Sequence, residues 1–290
     1  MPLIRYRRPS PLLRPFVQFF TQREMKLNDP VFIHPVPARA APMLEFIYGD
    51  RFQVFYRDRG REDTTPRVVM VGLQTRPFAQ LKLQGSLLSF VIMFQPTGLD
   101  RLFRVPVGEL TNHDFDARSV LGRELDELDH RLGDCDTLEE RAAAAERFLL
   151  LRVVQAGRVD RIRAAAHRVL AADGCVRVSD IAAWAGLGVR QCEREFERSF
   201  GMGPKLFARI VRFQAALDRK ARSNSKTWTE VAQEFGYFDQ MHMIHDFEQF
   251  AAEKPTEMLG VVESLFREQI EAMRLGLGVR AVGMVPRFMV

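Results

Sequence analysis

Two stretches, Val178-Ser-Asp-Ile-Ala-Ala-Trp-Ala-Gly186-Leu-Gly-Val-Arg-Gln-Cys-Glu-Arg-Glu-Phe196 and Trp228-Thr-Glu-Val-Ala-Gln-Glu-Phe-Gly236-Tyr-Phe-Asp-Gln-Met-His-Met-Ile-His-Asp-Phe247, repeat one pattern. In each, an alanine (Ala182, Ala232) stands four positions before a glycine (Gly186, Gly236). The small side chain lets a second helix approach closely, and the glycine supplies a left-handed turn at little steric cost. Apolar residues then return at helical spacing, Cys192 and Phe196 in the first copy, Met243 and Phe247 in the second. These pin the second helix to the first and leave its other face free. The pattern is a helix-turn-helix, and two copies separated by a helical segment make a chance match far less frequent than one copy would.

The free face of the first unit carries Arg190, Gln191, Glu193 and Arg194, and that of the second Gln240, Met241, Ile244 and His245. Arginine and glutamine read base edges bidentately, and glutamate accepts from cytosine N4. Such a helix enters the major groove of double-stranded DNA by its N-terminal half. Taken with Asp180-Ile-Ala, Arg194-Glu-Phe196, Phe200-Gly201, Pro204, a linker helix from Arg209 to Leu217, Gly236-Tyr237, Asp239-Gln240 and Pro255, residues from about 158 to 260 resemble the DNA-binding domain of the AraC/XylS family of bacterial transcription regulators. Even the unequal glycine-to-phenylalanine gaps agree: ten positions from Gly186 to Phe196, eleven from Gly236 to Phe247. The chain departs from that family at Gly188, where a serine usually caps the helix, and at His245, where many members carry an arginine. Within Phe250-Ala-Ala-Glu-Lys-Pro255 the usual glycine is missing. A glycine cap costs only a few tenths of a kcal/mol. A neutral histidine cannot form the arginine fork, so the first unit is expected to dominate sequence reading.

The remaining composition sets bounds. The 290 residues are 47% hydrophobic and carry 42 Lys plus Arg against 37 Asp plus Glu, a net charge of +5. That suits a DNA partner without proving one. Arg190, Arg194, Arg198, Lys205, Arg209 and Arg212 recur on and after one helix and read as a basic stripe, or as a solvated face balanced by Glu193, Glu195 and Glu197. No apolar run is long enough to span a membrane, and the basic, proline-containing start has no apolar core of a signal peptide, so a cytoplasmic location is expected. Cys135, Cys175 and Cys192 show no paired spacing.

The first half has another texture. Val31–His34, Met43–Tyr48, Phe52–Tyr56, Arg67–Val71, Phe78–Leu83 and Leu87–Phe94 are short runs broken by turn residues and read as strands. Together with His34-Pro-Val-Pro-Ala-Arg39, Gly72-Leu-Gln-Thr75 and Phe94-Gln-Pro-Thr-Gly98, they resemble the cupin-like sensor domains attached to many AraC-type regulators. That resemblance implies a small-molecule effector lying among Phe46, Tyr48, Phe55 and Phe90; equally, these aromatics fill the core. Between the halves, Asp116 to Gly133 reads as one amphipathic helix and a second starts at Leu138. They lie on the sheet or, as the family resemblance suggests, pair two protomers into a homodimer. The tail from 261 to 290, a helix and then an apolar run, is expected to dock on the protein.

The expected fold class is therefore α+β: a mainly β, cupin-like sensor and dimerisation domain at 1–155 with trailing helices, then an all-α double helix-turn-helix domain at 156–260. No catalytic constellation, cofactor loop or clustered metal ligands is apparent, so an enzyme is the least supported class. The expected partners are DNA, a small-molecule effector and, from the family resemblance, RNA polymerase. An architectural DNA-binding protein, or a small-molecule binder whose DNA binding has degraded, remains open.

Overall fold

The computed structural model describes residues 3–57, 60–156, 160–223 and 225–262. The chain forms two compact units: the first takes residues up to Pro35, Ala41–Gly72 and 78–158, the second Val36–Ala40, Leu73–Pro77 and the chain from 159 onward.

In the first unit eight strands, β1 (Leu3–Arg7), β2 (Val17–Val36), β3 (Met43–Ile47), β4 (Gln53–Tyr56), β5 (Arg61–Thr64), β6 (Val68–Val71), β7 (Ala79–Phe94) and β8 (Asp114–Asp116), form one sheet. Its main order is β1-β2-β7-β3-β6-β8, with β4 and β5 paired beside β7. The pairings described are antiparallel, including β3 with both β6 and β7. All five residues of β3 are buried, so both sheet faces are covered at the centre.

Register assigns the side chains to faces, because paired residues on antiparallel strands point the same way. Phe46 pairs with Phe90 and Leu44 with Ile92, and the Phe90 ring also stacks on Phe20 at 6.0 Å. This face receives the helices α1 (Gly98–Phe103), α2 (Ala117–Leu121), α3 (Glu124–Gly133) and α4 (Leu138–Val153). Phe94 meets Phe103 edge-on, the Tyr48 hydroxyl donates to the Asp129 carbonyl at 3.2 Å, and the Arg141 guanidinium donates to Gln22 Oε1 at 2.6 Å. The opposite face holds Glu45 paired with Val91, Ile47 with Ser89, and Tyr6 with Thr21.

Three sequence expectations are corrected. Phe78–Leu83 and Leu87–Phe94 belong to one strand, β7, because Gly85 takes φ +78° inside it while the Asp50 carboxylate accepts from the Ser86 amide. A glycine in such a stretch accommodates a local kink without ending the strand. Val31–His34 is only the end of β2, which starts at Val17 and whose apolar alternation is masked by Gln22, Arg23, Glu24 and Lys26, and β1 precedes the region in which strands were expected. The helix expected over Asp116 to Gly133 is two helices, broken at Gly122 with φ +75°. Leu125, Leu128 and Leu132 are buried within the unit itself, whereas Leu151 on α4 and Val154 just after it are 74% and 89% exposed.

The second unit contains α5 (Arg161–Ala171), α6 (Val178–Ala185), α7 (Val189–Phe200), α8 (Pro204–Arg222), α9 (Trp228–Glu234) and α10 (Gln240–Ala251), followed by helical residues 255–262. Side chains start several of them: Asp160 caps α5, Thr227 and Glu230 close a capping box on α9, and Asp239 caps α10. Pro204 starts α8 at a position where its missing amide is no loss. Except for 261 and 262, the tail expected to dock on the protein lies outside the described residues.

Removing the ring that joins β2, β3 and β7 tests the sheet's packing. Phe90→Ala is expected to destabilise the first unit by about 3–5 kcal/mol, read as a lowered urea midpoint of its unfolding transition.

Candidate nucleic-acid interface

The first helix pair meets at Ala182, 2% exposed, and turns at Gly186 with φ +64°. The Gly186 amide donates to the Ala183 carbonyl and the Leu187 amide to that of Ala182, both at 3.0 Å, which pairs carbonyls that a helix end otherwise leaves open. Gly188 starts α7 in extended conformation with no side-chain cap, as expected of a glycine there. Cys192, Phe196 and Phe200 are buried, and Phe207 of α8 packs on both phenylalanines with centroids 5.6 and 5.4 Å away. With that side anchored, Arg190, Gln191, Glu193 and Arg194 are all exposed. Among the described residues no hydrogen bond or ion pair occupies their side chains, whereas one turn on Arg198 pairs with Glu195 at 2.5 Å. Burial raises the Cys192 thiol, so it stays protonated and acts as a small apolar residue.

The second pair is built from different contacts. Gly236 takes φ +65°, and the Tyr237 amide donates to the Ala232 carbonyl at 2.9 Å. Asp239 caps α10 by accepting from the His242 amide at 2.7 Å. Met243 and Phe247 are buried as expected, and Phe247 packs edge-on against Phe213 and Trp228. Of the face residues, Met241 is 57% exposed, Gln240 accepts from the Thr229 hydroxyl at 2.9 Å, and His245 is exposed with Nδ1 3.7 Å from Glu248. Ile244 is only half-exposed and so presents less surface than its neighbours. Sequence reasoning missed Phe238, 92% exposed directly before the α10 cap. The available signal was a large aromatic next to Tyr237 with no helical position to bury it.

The basic stripe read from the sequence is shorter in the structure. Asp246 of α10 is fully buried; its Oδ1 accepts from Arg209 Nη2 at 2.6 Å and Nε at 3.1 Å, and Arg212 Nη2 lies 3.6 Å from Oδ2. Arg209 also donates to Gln249 at 2.5 Å, and Arg212 lies 4.2 Å from the centroid of the Tyr237 ring. These two arginines join the linker helix α8 to α10. Arg190, Arg194, Arg198 and Lys205 remain as exposed cations of the stripe, Arg198 paired with Glu195. Burial raises the Tyr237 phenol, the Asp246 charge adds to that, and Arg212 opposes it, so the hydroxyl stays protonated.

The four aromatics expected around an effector do not line one cavity. Phe46 and Phe90 are fully buried against each other and Phe20 on the helix-covered face. Tyr48 is bonded to α3 with Arg67 over its ring, and Phe55 is half-buried with Lys82 Nζ 6.0 Å from its centroid. Among the described residues no group of three His, Cys, Asp or Glu side chains is placed to hold a metal ion, and no helix is long and apolar enough to cross a membrane.

Residues 181–260 match the family described as a helix-turn-helix domain, and residues 5–116 match one described as a domain of unknown function. No curated protein matches the sequence significantly. Among solved structures, the chain is similar to ToxT from Vibrio cholerae at a TM-score of 0.50 and 12% identity, covering 83% of this chain and 98% of that one. An apo point variant of ToxT from Vibrio cholerae strain SCE256 gives 0.50 and 12%, covering 88% and 99%. At such identity the likeness concerns the fold.

Asp246→Ala leaves two guanidinium groups without their carboxylate. It is expected to cost about 2 kcal/mol and to raise amide exchange in α10 ahead of α7, measured by hydrogen–deuterium exchange.

Proposed function

We propose that this chain, whose residues 181–260 match a helix-turn-helix domain, is a sequence-specific, DNA-binding transcription regulator controlled by a small molecule bound in its first unit. One observation carries the DNA reading: α7 is anchored by three buried side chains while Arg190, Gln191, Glu193 and Arg194 stand exposed and unpaired on its other side. These are the residue types that recognise base edges, on the half of the helix that leads into a major groove. Phosphates meet the open amides at the helix N-termini.

The second unit contributes differently. Its exposed side chains at the start of α10 are Phe238, Gln240 and Met241, with His245 a turn on. Apolar groups recognise the thymine methyl, so this unit favours thymine-containing steps over the guanines that arginines select. Gln240 already accepts from Thr229 through its carbonyl oxygen, which leaves its amide group to donate to DNA.

In this proposal the regulator works in the cytoplasm as a homodimer and contacts RNA polymerase. The dimer reading attaches to the end of the helical face, where Leu151 and Val154 stand exposed and Leu151 borders an open groove of about 640 Å³ whose lining mixes apolar residues such as Leu102, Val120 and Phe148 with charged ones such as Glu124, Arg131 and Arg147. Two copies would present four reading helices and gain affinity through effective concentration. Effector control requires the ligand and DNA to prefer particular states of the protein, with equal and reciprocal coupling between the two affinities.

Selection from a random duplex library across a salt series tests the whole reading. Recovery of two elements about one helical turn apart is the expected result. Enrichment of no sequence, with affinity collapsing steeply in salt, would turn the assignment toward an architectural protein; absence of DNA binding with and without candidate effectors would turn it toward a small-molecule binder. On the selected site, Arg194→Ala is expected to cost about 1–3 kcal/mol and relax one base pair, whereas a phosphate contact would lose affinity equally on all sequences. Phe238→Ala combined with Met241→Ala should reduce the preference for thymine in the second element, measured by competition binding with uracil-substituted duplexes.

A further inference from the structure

In the second helix-turn-helix unit a side-chain hydrogen bond joins the starts of α9 and α10. Thr229, the second residue of α9, donates its hydroxyl at 2.9 Å to Oε1 of Gln240, the first residue of α10. Both ends of that bond are held by their own helices. The Thr227–Glu230 capping box starts α9, and Trp228 lies edge-on to Phe247 with centroids 5.6 Å apart. Asp239 accepts from the His242 amide at 2.7 Å and so sets the first turn of α10. Threonine adds stiffness of its own, because its branched Cβ restricts χ1. A threonine deeper in a helix directs its hydroxyl proton to the carbonyl four residues back. For Thr229 that residue is Ser225, which precedes α9, and the proton goes to Gln240 instead.

Resting on the DNA reading above, we propose that Thr229 is a positioning residue for base selection. By holding Gln240 Oε1 it makes Gln240 a reader of the keto bases, thymine and guanine, in place of the adenine that a free glutamine selects. A glutamine pairs bidentately with adenine by accepting from N6 through its oxygen while donating to N7. With the oxygen turned to Thr229, the outward end of the amide carries two N–H groups and no acceptor. Thymine O4 and guanine O6 and N7 accept from such donors, whereas the amino groups at adenine N6 and cytosine N4 meet them proton to proton. Donors left unpaired in a desolvated contact cost free energy, so the two amino bases are actively rejected. Met241, 57% exposed at the next position of α10, offers apolar contact to the thymine methyl and ranks thymine above guanine. Thr229 touches no base in this arrangement; its effect reaches DNA only through Gln240.

Selection from a random duplex library with the full chain, repeated for Thr229→Val, Thr229→Ser and Gln240→Ala, tests this. The base pair in question is the one whose selectivity Gln240→Ala abolishes. There the parent is expected to accept thymine and guanine on one strand and to disfavour adenine and cytosine by about tenfold. Thr229→Val keeps the shape and removes the hydroxyl; it should bring adenine to within about threefold of thymine at that position alone. Thr229→Ser should restore the parent pattern, and because Thr229 is exposed both variants should melt with the parent. Uracil keeps O4 and lacks the methyl, so in competition binding it should rank with guanine, above adenine. A parent that selects adenine alone there, uracil ranked with adenine, or a Thr229→Val pattern identical to the parent overturns the proposal and leaves the DNA reading intact. So does a Thr229→Val loss that is equal on all sequences and has a shallower salt dependence, which would make Thr229 a phosphate contact. A Gln240→Ala profile unchanged at every position also removes this proposal alone. Recovery of no sequence element by the parent removes it together with the DNA reading.

Discussion

A carboxylate with no access to water must be neutralised where it stands, and Asp246 is such a group. Arg209 and Arg212, one turn apart on α8, approach its two oxygens, and the other sides of those arginines lie against Phe250 and Tyr237. The orientation of α10 on α8 depends on this contact together with the Phe213, Phe247 and Trp228 rings. Helix α7 meets α8 through Phe196, Phe200 and Phe207, with no buried charge there among the described residues. Both α7 and α10 are thus held on α8, the first by apolar contact alone and the second by apolar contact plus a directional charge-assisted bond.

In the proposed DNA reading, that difference matters for recognition. An arginine that neutralises a buried carboxylate is withdrawn from the surface, so the second unit keeps few cations for phosphates or guanines. Its exposed side is Phe238, Gln240, Met241 and His245, a surface suited to methyl groups and amide contacts. The first unit has the complementary property, with Arg190 and Arg194 free because Cys192 and Phe196 provide the anchoring. The division of labour proposed for the two units follows from which residues were needed for packing.

The first unit shows the same economy of faces. One side of the sheet is closed by helices through Phe20, Phe46, Phe90 and Phe94, with Arg141 and Asp129 joined to Gln22, Arg67 and backbone carbonyls. The other face sets Glu45 3.7 Å from Arg23 and Tyr6 beside Thr21.

The two helix-turn-helix units were legible in the sequence because their signals are local. The Ala-to-Gly spacing, the glycines at Gly186 and Gly236 and the apolar return at Cys192, Phe196, Met243 and Phe247 all act within a few turns of one helix pair. Strand runs such as Met43–Ile47 were legible too, from apolar β-formers bounded by turn residues. What the sequence could not settle depends on partners distant along the chain. Only the tertiary structure decided that β7 runs through Gly85, that Arg209 and Arg212 serve Asp246, and that Phe46 and Phe90 face helices while Glu45 faces Arg23. An arginine on a helix looks the same in sequence whether it meets a carboxylate or solvent. In a strand buried on both sides, alternation distinguishes two faces but cannot say what covers either one.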